Sequence, residues 1–209
     1  PEGFLRMTSF SRDLFPVFEY EAGGVRLRKT VAAVHGENTT VVTWEVLAAP
    51  SEFVMEWTPL VAGRDYHALV HANGSIREDA TFDGGVLALE PYADVPAVFV
   101  SIPGATFEAR PSWYRRFEYP IERERGLDFE EDLFSHGVLR ATLRKGSRIG
   151  AVVSTASPAG RDAFRLLDQE TRRRKRLVET IPDGDDLARS LFLAADQFIV
   201  RKGEDSRAI

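Results

Sequence analysis

Val25–Ala33 reads VRLRKTVAA, and beyond Val34–Asn38 the chain continues Thr39–Leu47, TTVVTWEVL. In the first stretch Val25, Leu27, Lys29, Val31 and Ala33 alternate with Arg26, Arg28, Thr30, Ala32 and Val34, a period of two with basic residues mostly on one face. The second is rich in β-branched residues, which suit a pleated surface. Both stretches predict strands. Gly23-Gly24 ahead of Val25 is a tight-turn signal that joins it to a further strand over Pro16–Glu21.

Working outward, the same texture recurs. Phe53–Leu60 (FVMEWTPL) follows Pro50-Ser51-Glu52, and Asp83-Gly84-Gly85 separates Ala80-Thr81-Phe82 from Val86–Leu89. Glycine tolerates the positive φ that primed hairpin turns need, so the latter predicts a hairpin. Ala97–Ile102 (AVFVSI) suits a buried strand. Val138–Leu143 and Ser147–Thr155, around Lys145-Gly146, predict another hairpin. Many short strands with regularly spaced turns point to a sandwich or a barrel.

From about Gly160 the pattern changes. Phe164, Leu167, Leu177, Val178 and Ile181 recur at helical spacing around a charged middle, which predicts a long, largely exposed helix over 161–181. Pro182-Asp183-Gly184 breaks it, and Asp183 or Asp185 can cap a second helix whose apolar stripe is Leu187, Leu191, Ala194, Ala195 and Phe198. Gly203 ends that helix. The expected organisation is a mainly β, antiparallel β-sandwich over 1–158 and a helical linker over 159–209 that opens a further domain. Pro1 is not Met and Ile209 follows a helical pattern, so the chain reads as part of a longer protein.

Composition narrows the functions. Of the 209 residues, 44% are hydrophobic and 28% charged, enough for a sizeable core without staples. The absence of cysteine excludes disulfides and thiolate chemistry and fits a cytoplasmic protein. The net charge is −5, and basic residues are interspersed with acids except at Arg172–Arg176, so no nucleic-acid partner is expected. There is no apolar run of about 18 residues, and Pro1-Glu2-Gly3-Phe4 lacks the pattern of a signal peptide, so neither a membrane span nor a leader is expected.

Three segments carry candidate chemistry. Pro59–His67 (PLVAGRDYH) places Arg64, Asp65, Tyr66 and His67 just beyond a strand, where loops hold function. These side chains suit hydrogen bonds to sugar hydroxyls; the plain alternative is a strand-end turn closed by Asp65. Trp113–Asp128 sets Trp113, Tyr114 and Tyr119 among alternating acids and bases, with Glu122 and Asp128. Ring faces for pyranose C–H groups and charged groups for hydroxyls are what sugar recognition needs. The same pattern also fits a surface strand with cross-strand ion pairs. Asp128–Gly137 concentrates acids in Asp128, Glu130, Glu131 and Asp132, which reads as a solvated charge run rather than a calcium loop. His67 and His71 stand four apart beside Asn73 and Gly74, a poor zinc motif. A glycosidase needs two carboxylates about 5–10 Å apart across a cleft. Pairs such as Glu122 with Asp132 exist, but spacing alone does not place them. No nucleotide or nucleophile-elbow motif is present. No catalytic residue, metal or cofactor is assigned.

Four stretches, in order, resemble the N-terminal domain of bacterial and archaeal glycogen-debranching enzymes of the amylo-α-1,6-glucosidase type. They are VHGENTTVV (34–42), PLVAGRDYH (59–67), WYRRFEYPIERERGLDFEED (113–132) and LARSLFLAADQFIVRKGE (187–204). The resemblance implies a large, supersandwich-like β-sandwich in front of an (α/α)-barrel. It also implies glycogen or another branched α-glucan as partner, alongside an intramolecular catalytic domain. The catalytic carboxylates of such a glycoside hydrolase would lie beyond Ile209. Arg64, Asp65, Tyr66, His67, Trp113, Tyr114, Tyr119, Glu122 and Asp128 are the candidate carbohydrate-binding residues.

Overall fold

Alternation becomes pairing in the computed structural model, which describes residues 3–65, 67–181, 186–202 and 206–208, with backbone only at 200–202 and 206–208. The protein is mainly β, its sheets are antiparallel, and helices follow at the C-terminal end. Contacts divide the chain into two compact units: Pro1–Glu52 with Arg144–Ser154 and Gly160–Ile209, and Phe53–Leu143 with Thr155–Ala159.

In the first unit β1 (Met7–Arg12), β2 (Pro16–Ala22), β3 (Val25–Ala33), β4 (Thr39–Ala48) and β11 (Arg148–Ser154) lie side by side in the order 1-2-3-4-11. The β2–β3 turn carries Gly23 at φ 56° and Gly24 at φ 78°, a conformation a side chain resists. One sheet face carries α2 (Ala163–Glu179) over a core of Phe15, Ala32, Val41, Val152 and Ala163. Each such buried apolar side chain contributes about 1.5–3 kcal/mol if it is Val or larger. Gly150 lets the helix approach, since a Cβ there would lie 2.6 Å from that of Ala163.

Two sequence expectations change here. The charged middle of α2 is exposed only in part: Asp168, Arg172, Lys175 and Arg176 are at the surface, but Glu170 and Arg174 are buried, and Arg174 stacks on Phe15, 4.5 Å from its centroid, and donates to Leu14 O. Aliphatic stems let such residues line a core while their heads pair. After α3 (Asp186–Gln197) come short antiparallel strands, β12 (Val200–Lys202) and β13 (Ser206–Ala208). The break at Pro182-Asp183-Gly184, the caps at Asp183 or Asp185, and Gly203 fall outside the described residues.

In the second unit β5 (Phe53–Trp57), β10 (Glu130–Leu143) and β9 (Thr106–Glu118) form one sheet, with β10 central. β6 (Ala80–Asp83), β7 (Val86–Leu89) and β8 (Val98–Ser101) pair in turn, through Gly84 and Gly85 at the expected turn. Leu87, Leu89, Val100, Ile102, Phe134 and Leu139 are among its buried apolar residues. The expected hairpin between Val138–Leu143 and Ser147–Thr155 does not form: β10 pairs with β5 and β9, and β11 with β4. A turn signal marks a reversal but not the partner. A short helix, α1 (Pro120–Glu124), sits between β9 and β10.

Candidate functional site

The second unit's long ladder is irregular at two points, and those points build the site. Glu131 pairs with Phe117 and Leu133 with Tyr114, so Asp132 alone faces Arg115 and Arg116. Ser135 pairs with Ser112 and Gly137 with Ala109, so His136 alone faces Arg110 and Pro111. Each is a bulge, which bends a strand and re-aims its side chains. Pro111 has no N–H to lose there. Arg116 stands at φ 62°, and its N–H is held by Asp132 Oδ1 at 2.8 Å. Gly137 allows the close approach beside the other bulge, since a Cβ would meet Glu108 O at 2.2 Å.

The chain beyond β5 returns along the edge of β10. Val61 and Phe134 exchange backbone hydrogen bonds of 2.9 Å, and Val70 O accepts from Asp132 N at 2.8 Å. Between them Gly63, at φ 61°, passes against Pro91 and the Tyr92 ring, each 3.0 Å from where a Cβ would sit. That path delivers Arg64 to Glu131.

Glu131 is 1% exposed and fully engaged. Arg64 Nε and Nη2 donate to its two oxygens, the latter bond 3.0 Å. Tyr119 Oη donates at 2.5 Å and Val70 N at 3.3 Å. Burial raises the pKa of this carboxyl, but the bonds from Arg64, Tyr119 and Val70 together hold it below its ordinary value. Donating to Glu131, together with burial, raises the pKa of the Tyr119 phenol. Asp132 next to it accepts from Ala72 N and Arg116 N, both 2.8 Å, and these bonds lower its pKa. Within the stretch read as a solvated charge run Asp128 is exposed, but Glu131 and Asp132 form a buried polar cluster, because enough backbone and guanidinium donors converge to replace water.

The structure thus joins two of the sequence segments on one carboxylate. Asp65 closes a turn by accepting from His67 N at 2.9 Å, leaving both residues at the surface. Tyr66 lies outside the described residues. Trp113 is half-buried edge-to-face on Phe134, at 5.2 Å, while the neighbouring Tyr114 is 43% exposed. Tyr119 turns inward to Glu131, whereas Glu122 accepts from Arg125 at 3.4 Å and Asp128 from Phe129 N at 3.1 Å around α1. Sequence reasoning missed Glu131 and Asp132 as the organising groups, because their partners lie up to 67 residues away. Among the described residues no three His, Asp or Glu side chains gather as metal ligands, and no helix is long and apolar enough to cross a membrane.

The first unit holds the remaining segment. Val34–Asn38 caps a pocket of about 390 Å³ that Glu170, Arg173 and Asp196 also line. Arg161 bonds Glu37 at 2.7 Å, and Arg173 joins Glu170 to Asp196.

Residues 1–150 match the family described as glycogen debranching enzyme N terminal. No curated protein matches. Among solved structures the chain is similar to a bacterial glucoamylase complexed with acarbose, at 10% identity and TM-score 0.43, covering 88% of this chain and 29% of that one. It is also similar to a protein described as a kojibiose phosphorylase from the human microbiome, at 9% identity and TM-score 0.34, covering 91% and 24%. The chain therefore spans under a third of the length of either.

Proposed function

The chain belongs to the family of glycogen debranching enzyme N-terminal domains, and from that premise we propose that it binds a branched α-glucan such as glycogen and presents it to a downstream α-1,6-glucosidase domain. The helices from Ala163 onward lead into that domain, an (α/α)-barrel whose entry begins near Leu187, and the protein works in the cytoplasm. One observation carries the reading: a single buried carboxylate, Glu131, holds Arg64 and Tyr119 at once. It fixes the Arg64–His67 loop against the β9–β10 hairpin without consuming the outward groups. Asp65 and His67 then contact hydroxyls, Trp113 and Tyr114 offer ring faces, and Glu122 and Asp128 serve the hairpin tip. Arg64 and Tyr119 frame the site, and Tyr66 is their neighbour in sequence between Asp65 and His67.

A second reading has an observation in its favour. Arg64 and Tyr119 spend their polar groups inside the protein, as they would in a domain that only buttresses the barrel. Native electrophoresis of the 209-residue chain through glycogen-containing gel separates the two. Glycogen is expected to retard the chain, and Trp113→Ala with Tyr114→Ala to reduce that retardation. A wild-type chain that migrates identically with and without glycogen rules out glucan binding and leaves the buttress.

A further inference from the structure

α2 and α3 follow one another along the chain but are held to the first unit in different ways. α2 buries Ala163, Glu170 and Arg174, whereas among the described residues none of the twelve in α3 is buried. The side that α3 turns to the unit is mostly polar: Arg189, Ser190, Leu193, Asp196 and Gln197 line the pockets beneath it. Its bulky apolar side chains point the other way, with Leu187 66%, Leu191 61% and Phe192 43% exposed. Those pockets, of about 390, 520 and 280 Å³, run along its inner side, so its contact with the unit is broken where a core would be close-packed.

One tie is specific. Arg173 on α2 donates from Nη1 to Asp196 Oδ1 at 3.1 Å and from Nη2 to Asp196 Oδ2 at 2.6 Å. Such a double bond of guanidinium to carboxylate is charge-assisted and fixes direction as well as distance. Arg173 is already ordered for it, because the buried Glu170 accepts from its Nε at 2.9 Å and from its Nη2 at 2.8 Å. The side chains of Arg173 and Asp196 are 24% and 12% exposed, so salt screens them less than a surface pair. Burial raises the pKa of the Asp196 carboxyl, and Arg173 brings it below its ordinary value. We propose that α3 is a strap closed on the first unit by the Arg173–Asp196 clasp rather than by apolar burial, and that it opens without disturbing α2 or the sheet. Opening gives up the half-buried Leu193 and no side chain of the core. A released segment of twelve residues is too short to stay helical by itself, so opening and loss of the helix come together. The clasp thus sets the direction in which the chain leaves α2. The strap involves neither glucan nor the Arg64–Glu131–Tyr119 site, so it stands or falls apart from the reading above.

Hydrogen–deuterium exchange of the 209-residue chain, read at the α3 amides, tests it. Wild-type protein is expected to protect α3. Asp196→Ala removes the clasp and should speed exchange across α3 about ten- to hundredfold, the worth of hydrogen bonds to a charged group, while the α2, β3 and β4 amides keep their rates. Alanine is the better helix former and takes a carboxylate out of the last turn, so faster exchange reports the lost clasp and not a weaker helix. Asp196→Asn keeps the shape and loses the charge. It should move the same amides in the same direction, and it keeps the test readable if the alanine variant unsettles the unit. Leu193→Ala should speed α3 less than either. Unprotected α3 amides in wild type, unchanged rates in both Asp196 variants, or a larger effect from Leu193→Ala would overturn the clasp. Equal acceleration of α2 and α3 would overturn the strap, since the two helices would then open as one.

Discussion

Two buried glutamates organise the two units, and they do so in opposite ways. Glu170, 4% exposed on α2, takes Arg173 and Arg174 three and four residues along the same helix. Glu131, 1% exposed on β10, takes Arg64 and Tyr119, 67 and 12 residues away. Burial raises the pKa of each, and hydrogen-bonded partners hold both below the ordinary value. The difference lies in what assembles the partners. Helix geometry alone places a residue beside those at i+3 and i+4. Glu131 has its partners only after β9 and β10 have found register and the Gly63 turn has returned. Glu170 also has substitutes nearby: Arg173 keeps Asp196 and Arg174 keeps Leu14 O if the carboxylate is lost. One cluster reports a local element, the other the tertiary fold.

The strongest way to break that comparison is to neutralise each glutamate in turn. Glu131→Gln leaves the Arg64 guanidinium beside a group that no longer carries its counter-charge, and removing one member of a buried pair costs about 3–5 kcal/mol. Glu170→Gln should cost less, about 1–2 kcal/mol, because Arg173 keeps a carboxylate in Asp196 and Arg174 keeps Leu14 O, whereas Arg64 keeps only the neutral Asp65 carbonyl. Urea unfolding followed by circular dichroism reads both. Equal losses, or a larger loss at Glu170, would show that non-local assembly does not set the ranking.

The same contrast explains what could be read in advance. The strands at Pro16–Ala22, Val25–Ala33 and Thr39–Ala48 were legible because a period of two and a glycine pair are local signals. So was the helix beyond Gly160. The burial of Glu131 and Asp132 was not, since a run of acids looks solvated until its donors, Arg64, Ala72 and Arg116, arrive from elsewhere. The two bulges were equally hidden: Arg115-Arg116 and Arg110-Pro111 gain meaning only opposite Asp132 and His136. Arg64 and Tyr119 meet on Glu131 only because the Val61–Phe134 bridge and the β9–β10 ladder bring them there, contacts that no local pattern announces.

A purely local group sharpens the scale. Asp162 caps α2, its Oδ1 accepting from Arg165 N at 2.7 Å. Asp162→Ala should cost about 1 kcal/mol, the ordinary worth of an N-cap. The loss should appear as a lower urea midpoint with the β-sheet signal otherwise intact. A loss approaching that of Glu131→Gln would mean that the cap also supports the sheet beneath the helix, and that local and tertiary roles are not separable here.

The smallest effect is a titration. His136 is 2% exposed, and its Nε2 lies 2.9 Å from Arg77 O, an atom that can only accept, so Nε2 carries the proton. Nδ1 has no partner among the described residues, and burial, partly offset by the bond to Arg77, holds the imidazole pKa below 6.5. The unfolded chain therefore binds a proton before the folded one does as pH falls. The stability that His136 contributes is complete above 6.5 and declines below it until the folded value is passed. Glu131 acts lower: its contribution is present above 4.5 and is lost as pH falls through its depressed folded value. Read between about pH 7.5 and pH 6, wild-type protein should lose a little stability and His136→Gln should lose none. A wild-type decline that survives in His136→Gln would place the titrating group elsewhere. The second bulge would then be a packing feature whose buried imidazole is indifferent to pH.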